Sequence, residues 1–246
     1  MTADSNQLYV YGIVAESTTL PAELTGISNA AVETLDHGSL AAVVTRLSPD
    51  HQIGTPQNLL AHSKVLDTLA EHTTILPMTF GTIVPSDEEL RDSVLELNED
   101  EYTETLEQLQ HTVQYTVRAR YIRDAILADL IEDDPEVAQL REAIAGTTED
   151  ETREERIQLG ELVVSAFDHI RPQHAEAIIE AVKPAIEDFQ EHEGGQVEDV
   201  LELAVLVDRD HVADFEDALD QAARQLHTRI NFQLLGPQAP YDFVGQ

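Results

Sequence analysis

Ten histidines, 48 acidic residues and a short run of arginines are the side chains of this 246-residue sequence that could do chemistry. His169 and His174 flank Pro172 at a spacing that does not put two imidazoles on one helical face, as a metal pair requires. Carboxylate pairs suited to general acid–base work occur all along the chain, but at this acid content they arise by chance and none stands out. His62 falls among Leu59, Leu66 and Leu69 at helical spacing. On such an apolar stripe a histidine reads as a core residue hydrogen-bonded to backbone rather than as a ligand. Arg118, Arg120 and Arg123 form the one local basic cluster. They read as partners of nearby acids, for instance on a long helix, or else as a grip for an anionic ligand in a cleft between domains. The sequence has no cysteine, no nucleophile elbow, no phosphate-binding loop, no dinucleotide fingerprint and no zinc-protease or calcium-loop motif. The expectation is therefore no catalytic residue, no cofactor and no metal.

Charge sets the next limit. With 14 Lys and Arg against 48 Asp and Glu, the formal net charge is −34 and the sequence pI is about 4.3. Nucleic acid is excluded as an ordinary partner, since counterion release needs clustered cations. Only Lys64 and Lys183 are lysines. A chain this acidic repels itself least in strong brine, where the Debye length shrinks to about 3 Å at 1 M salt, so the composition points to a salt-adapted protein. Acidic disorder does not fit, because 42% of residues are hydrophobic and they recur periodically. No leader-like basic and apolar start and no run of about 18 apolar residues is present, so a cytoplasmic chain with no membrane insertion is expected.

Elements to position these residues follow from the hydrophobic periods. Residues 8–14 (LYVYGIV) read as a strand after a polar tail, and Val32–Asp36 and Leu40–Val44 as a hairpin through His37-Gly38. Thr55-Pro56 opens a helix, and Thr74–Ile83 reads as a strand interrupted at Pro77, an edge or bulge signal. Ser86 and Glu89 make a capping box for a helix that turns Leu90, Val94 and Leu97 inward, followed by one carrying Tyr102, Leu106 and Leu109. Val113, Tyr115, Val117, Ala119 and Tyr121 alternate with Gln114, Thr116, Arg118 and Arg120, a strand with its polar residues facing outward. Helices follow around Ile126–Leu130, Val137–Ile144 and Leu159–Ile170. Pro172 breaks the last, and the pattern resumes through Phe189 until Gly194-Gly195. A central strand over Leu201–Val207, a helix through Val212–Leu226 and a strand over Arg229–Leu235 complete the order, before a tail that two prolines keep out of helix or central strand. The class expected is α+β, with two ferredoxin-like sandwich domains: residues 1–112, and residues 113–246 with a helical insertion at about 123–193 and a Pro-rich tail at 236–246.

Two uncharged segments stand apart from this acidic background, Ile75–Val84 (ILPMTFGTIV) and Gly236–Val244 (GPQAPYDFV). They read either as packing onto their own domains or as apolar docking surfaces. They also carry a resemblance. The opening Leu8-Tyr9-Val10-Tyr11-Gly12-Ile13-Val14, His62 ahead of Val65 and Leu66, Leu76-Pro77-Met78-Thr79-Phe80-Gly81-Thr82, Arg156-Ile157-Gln158-Leu159-Gly160, and the closing Gly236-Pro237-Gln238-Ala239-Pro240-Tyr241-Asp242-Phe243 resemble, in order, motifs of the gas vesicle protein L/F family (GvpL/GvpF). Thr79 stands where that family often has Arg, and Gln238-Ala239 where it has Trp-Pro. The resemblance implies a non-enzymatic accessory protein of gas vesicle assembly that binds the hydrophobic shell protein and other accessory proteins, located in the cytoplasm and at the gas vesicle. With the acidic composition it implies a haloarchaeal-type member, from a halophilic archaeon. A minor component of the finished shell is the alternative it leaves open. The residues it points to, as partner-binding or as support for the motifs, are Tyr9, Tyr11, Gly12, His62, Leu76, Pro77, Met78, Phe80, Gly81, Thr82, Gly236, Pro237, Pro240, Tyr241 and Phe243.

Overall fold

The structure is a computed structural model that describes residues 7–48 and 51–245; the polar N-terminal stretch and the last residue of the tail lie outside the described residues. Its chain is 48% helical and 26% strand, with two antiparallel sheets, an α+β fold. It divides into two compact units. One comprises Met1–Tyr115, Leu206–Asp210 and Gly236–Gln246, and the other Thr116–Val205 and His211–Leu235. The C-terminal tail, expected with the second domain, thus packs in the first unit.

In the first unit β1 (Gln7–Ala15) lies at the centre of a sheet ordered β2-β3-β1-β4, with β2 (Glu33–His37), β3 (Leu40–Leu47) and β4 (Leu76–Pro77). The short strand β5 (Ile83–Val84) also pairs with β1. The hairpin turn falls at Gly38, at φ +58°, which glycine adopts without a Cβ clash. A β-bulge at Tyr11 shifts the β1–β3 register between Val10 and Gly12. Because side chains alternate faces, the extra residue puts Ile13 on the face of Leu8 and Val10, and Val14 on the face of Tyr9 and Tyr11. Both faces are buried. On one, helix α1 (Pro56–Ala70) covers Tyr9, Tyr11 and Val43; on the other, Leu90, Leu95, Leu106 and Leu109 cover Leu8, Val10 and Val44.

Thr55 caps α1 by accepting the Asn58 N–H, and Pro56 occupies its first turn. The inward face of α1 is set by His62, Val65, Leu66 and Leu69; Leu59, expected on that stripe, is 47% exposed and Asn58 is buried in its stead. Ser86 caps the next helical run as expected, through α2 (Asp87–Glu89). A π-helical stretch over Leu90–Leu95 then lengthens the turn, with the Glu96 N–H reaching the Arg91 carbonyl. Leu95 therefore takes the inward place expected of Leu97, which is 76% exposed. Helix α3 (Glu99–Gln108) completes this layer.

The second unit follows the β-α-β-β-α-β succession of a ferredoxin-like sandwich. Strand β6 (Thr112–Tyr121) leads through α4 (Arg123–Asp133), α5 (Pro135–Ile144) and α6 (Arg153–Val182) to β7 (Asp188–His192) and β8 (Asp199–Asp208), then α7 (Val212–Leu226) and β9 (Ile230–Gln238). The sheet order is β7-β8-β6-β9. In the first unit the same strand order is reached with a loop and one 3₁₀ turn (Ile27–Asn29) between β1 and β2, where the second unit has its helices.

Three expectations fail here. Helix α6 runs unbroken through Pro172, because Phe167 on one side and Ala175, Ile178 and Val182 on the other are buried and hold both halves in line. It ends at Val182, ahead of Lys183-Pro184, so Phe189 lies in the strand β7 and not in a helix. Gln114 and Thr116, expected to face outward, are buried.

Candidate functional site

The motif residues converge in the first unit. The segment between Pro77 and Ile83 runs along the edge of β1: the Met78 N–H donates to the Tyr11 carbonyl (2.8 Å) and the Val10 N–H to the Thr82 carbonyl (3.0 Å). Between those bonds the chain turns, closed by the Thr82 N–H and hydroxyl donating to the Thr79 carbonyl at 3.1 and 2.7 Å. The turn carries Phe80 inward, to 5.6 Å from the His62 ring and 6.4 Å from the Tyr9 ring. Gly12 permits the close approach of this segment, since a Cβ there would stand 2.6 Å from the Leu76 carbonyl oxygen.

His62 sits at the centre, 1% exposed. The Tyr11 ring stacks against it at 5.7 Å and the Tyr9 ring meets it edge-on at 5.7 Å. The Gly81 N–H donates to the Tyr9 hydroxyl (3.1 Å), which leaves the Tyr9 proton for Nδ1 of His62 (2.9 Å). We assign the ring proton to Nε2, which donates to the Tyr241 hydroxyl at 2.9 Å. A strand, a helix, a turn and the C-terminal tail are thus joined by three hydrogen bonds in one chain. Tyr11, stacked on His62, makes a separate pair of hydrogen bonds, accepting the Ile27 N–H (2.8 Å) and donating to Thr45 (3.1 Å).

Burial governs the electrostatics. It lowers the His62 pKa to about 4, with the Met78 backbone opposing in part, so the imidazole is neutral. It raises the Tyr9 hydroxyl to about 12 and Tyr241 further still, the latter also pushed up by Asp67. Asp67 is itself raised by burial, against a backbone hydrogen bond from Ala239. No member of the cluster is poised to exchange a proton near neutrality.

The tail is fastened at further points. Ala239 and Pro240 are buried, and the Asp242 N–H donates to Oε1 of Gln114 (3.2 Å) while the Gln114 amide donates to the Asp242 carboxylate. That exchange is why Gln114 is buried. Phe243 and Val244 pack against the core cluster of Leu8, Val10 and Leu206, as does Met78. Gly236, joined to Pro237 by a cis peptide, lies against the Tyr115 ring, where a Cβ would come within 2.5 Å of a ring carbon. Of the residues singled out by sequence, Tyr9, Tyr11, His62, Phe80, Gly81 and Tyr241 form the cluster itself. Gly12, Leu76, Pro77, Met78, Thr82 and Pro240 hold its walls, while Gly236, Pro237 and Phe243 act farther along the tail. Asp67 and Gln114 were not singled out. Nothing in the sequence sets Gln114 apart from the other polar residues that alternate along its strand.

Elsewhere the arginine cluster is spoken for. Arg118 pairs with Glu202 (2.9 Å), Arg120 with Asp199 (2.6 Å) and Arg123 with Glu198 (2.7 Å). The partners lie on or beside β8, not on the long helix. Among the described residues no group of three or more His, Asp or Glu side chains could hold a metal ion, and no helix is long and apolar enough to cross a membrane.

The sequence pattern of the family described as gas vesicle synthesis protein GvpL/GvpF matches residues 7–245. Gas vesicle protein F of a Streptomyces strain is 34% identical over 242 residues, covering 96% of this chain and 98% of that protein. Gas vesicle protein F of Haloferax mediterranei is 24% identical over 250 residues, covering 98% and 94%. The fold superposes on the crystal structure of the gas vesicle protein GvpF from an Anabaena species with a TM-score of 0.80 at 20% identity, over 98% of this chain and 99% of that one. The match along nearly its whole length, with a relative one-third identical, shows that this chain belongs to the GvpL/GvpF family of gas vesicle synthesis proteins.

Proposed function

We propose that this chain is a non-catalytic assembly factor of gas vesicle formation, which works in the cytoplasm, binds the hydrophobic shell protein and acts with other accessory proteins as the vesicle is nucleated. Family membership supports the role in gas vesicle formation. One observation carries the rest: the motif residues spend their polar groups on one another, while apolar side chains among and beside them reach the surface. Tyr241 is 42% exposed although its hydroxyl is bonded inward, and Ile83 on the sheet edge is 39% exposed. Phe80 is half-buried on the same face of the sheet, and Met78 is half-buried on the opposite one. An uncharged strip along a sheet edge suits a hydrophobic subunit, and the acid elsewhere keeps the complex dissolved.

Capture of the shell protein in molar salt tests this reading. Ile83→Glu and a chain ending at Gln238 should both lose capture. Melting curves must show that each variant is folded, and Ile83→Glu changes a partly exposed side chain on the sheet edge, so its result stands even if the shortened chain unfolds. Undiminished capture by folded Ile83→Glu would refute the docking strip.

A further inference from the structure

The sequence motif around Gly160 has no part in the cluster described above. Within it, Arg156 donates to the Thr147 carbonyl (3.1 Å) and to the Thr152 hydroxyl (3.2 Å), Gln158 donates to Glu136 (2.6 Å), and Leu159 is buried in the core cluster with Val137 and Ile144. Ile157 and Gly160 stand apart from these contacts. Ile157 is 52% exposed, and beyond the neighbouring residues and the backbone of its own helix no atom lies within 4 Å of the place a Cβ on Gly160 would take. A glycine in a helix interior weakens it relative to alanine, and here no contact within the chain requires one.

Val164 follows one turn on, 37% exposed, on the same face as Ile157 and Gly160 by helical spacing. These three residues and Arg123 wall a shallow depression of about 500 Å³. Val164 also borders a second depression of about 410 Å³ that reaches Val197, itself 42% exposed. Ile157 and Val164 thus make a short apolar line on the exposed side of α6, low at Gly160 and raised on either side, with a largely polar depression next to Val164.

The charge beside this line is one-sided. Arg123 is neutralised by Glu198 (2.7 Å), and Arg171 by Asp168 (2.6 Å) and the carbonyls of Val197 and Asp199. Glu161, Glu191 and Glu193 border the two depressions, and none has an ion pair among the described residues. A second copy of the chain would bring these acids against their own kind.

We propose that the outer face of α6 around Gly160 is a docking surface for an amphipathic helix of another gas vesicle protein, whose apolar stripe crosses at Gly160 and whose flanks carry Lys or Arg. Gly160 lets the two backbones approach closely, Ile157 and Val164 form the ridges that the incoming side chains straddle, and the unpaired glutamates receive the basic flanks. This surface lies in the second unit; it rests on the proposal that the chain acts with other accessory proteins and not on the shell-protein reading.

The test places p-benzoylphenylalanine at position Val164 in the full chain, expressed with its neighbouring gas vesicle proteins, and maps the photo-adducts by mass spectrometry. The expected adduct is a segment of another protein with apolar residues at helical spacing flanked by Lys or Arg. Gly160→Leu in the same background should cut its yield at least tenfold, while Gly160→Ala should keep it and raise the melting temperature. Adducts confined to this chain, adducts with a segment lacking that pattern, an absent adduct, full yield from Gly160→Leu, or a lowered melting temperature for Gly160→Ala would each overturn the proposal.

Discussion

Acidification should loosen the first unit through one buried ring. His62 titrates at about 4 in the folded chain and at 6.5 in the absence of structure. Folding lowers this pKa, so the neutral ring contributes stability that is complete above pH 6.5 and is lost as pH falls toward 4. From about pH 7.5 to about pH 5.5 the linkage relation gives a loss of about 1.3 kcal/mol from this group alone, within a ceiling of about 3 kcal/mol. For a chain of this size the smaller figure is about 3 to 5 °C in melting temperature. The assay is thermal unfolding in molar salt, for wild type and His62→Gln, at half-unit pH steps. Glutamine keeps a donor and an acceptor toward the two tyrosines but does not titrate in this range. The other nine histidines are common to both proteins, so the difference between the two pH slopes isolates His62. Equal slopes would refute the claim that a neutral imidazole lies buried between Tyr9 and Tyr241.

Tyr241→Phe, which removes only the hydroxyl bonded to Nε2 of His62, should destabilise the protein by about 1 kcal/mol in urea unfolding. It should leave shell-protein capture intact, because the exposed ring edge remains. Gly12→Ala should cost about 1 to 3 kcal/mol, since its methyl group would force the Leu76 carbonyl away from β1, whereas Gly195→Ala, outside the left-handed φ range and with open space around the added methyl group, should not bring that clash. Far-UV circular dichroism should fall as salt is diluted toward about 0.1 M, where repulsion within a net charge of −34 is screened least; full signal retained there would refute salt adaptation.

The fold was legible where a single period governs an element. Thr55-Pro56, Ser86 and the His37-Gly38 turn mark boundaries by side-chain chemistry that acts locally, and all three stand where that chemistry puts them. Local reading failed where tertiary packing overruled it. Pro172 costs α6 a backbone hydrogen bond, yet buried residues on both sides keep the helix running. Leu97 points outward because a π-turn upstream adds length that no periodic count anticipates. Phe189 continues a helical spacing by coincidence, and Lys183-Pro184 was the better guide.

The cluster was half legible. Its members were recognisable as unusual residue types in an acidic chain, but their meeting joins positions as far apart as His62 and Tyr241, which no spacing encodes. His62 was expected to bond backbone; the Met78 backbone does act on it, and two tyrosine hydroxyls, which were not expected, meet its ring nitrogens. The tail's place in the first unit depends on β9 continuing through Gly236-Pro237 and on Gln114 turning inward, and neither can be read from a single strand's alternation.

Binding of purified shell protein to Ile83→Glu, measured in molar salt beside wild type and Tyr241→Phe, tests the central claim most directly. Ile83→Glu should melt like wild type and lose binding at least tenfold, while Tyr241→Phe should melt lower and bind normally. Wild-type binding by a folded Ile83→Glu would show that the apolar strip over the His62 cluster is not where the shell protein docks.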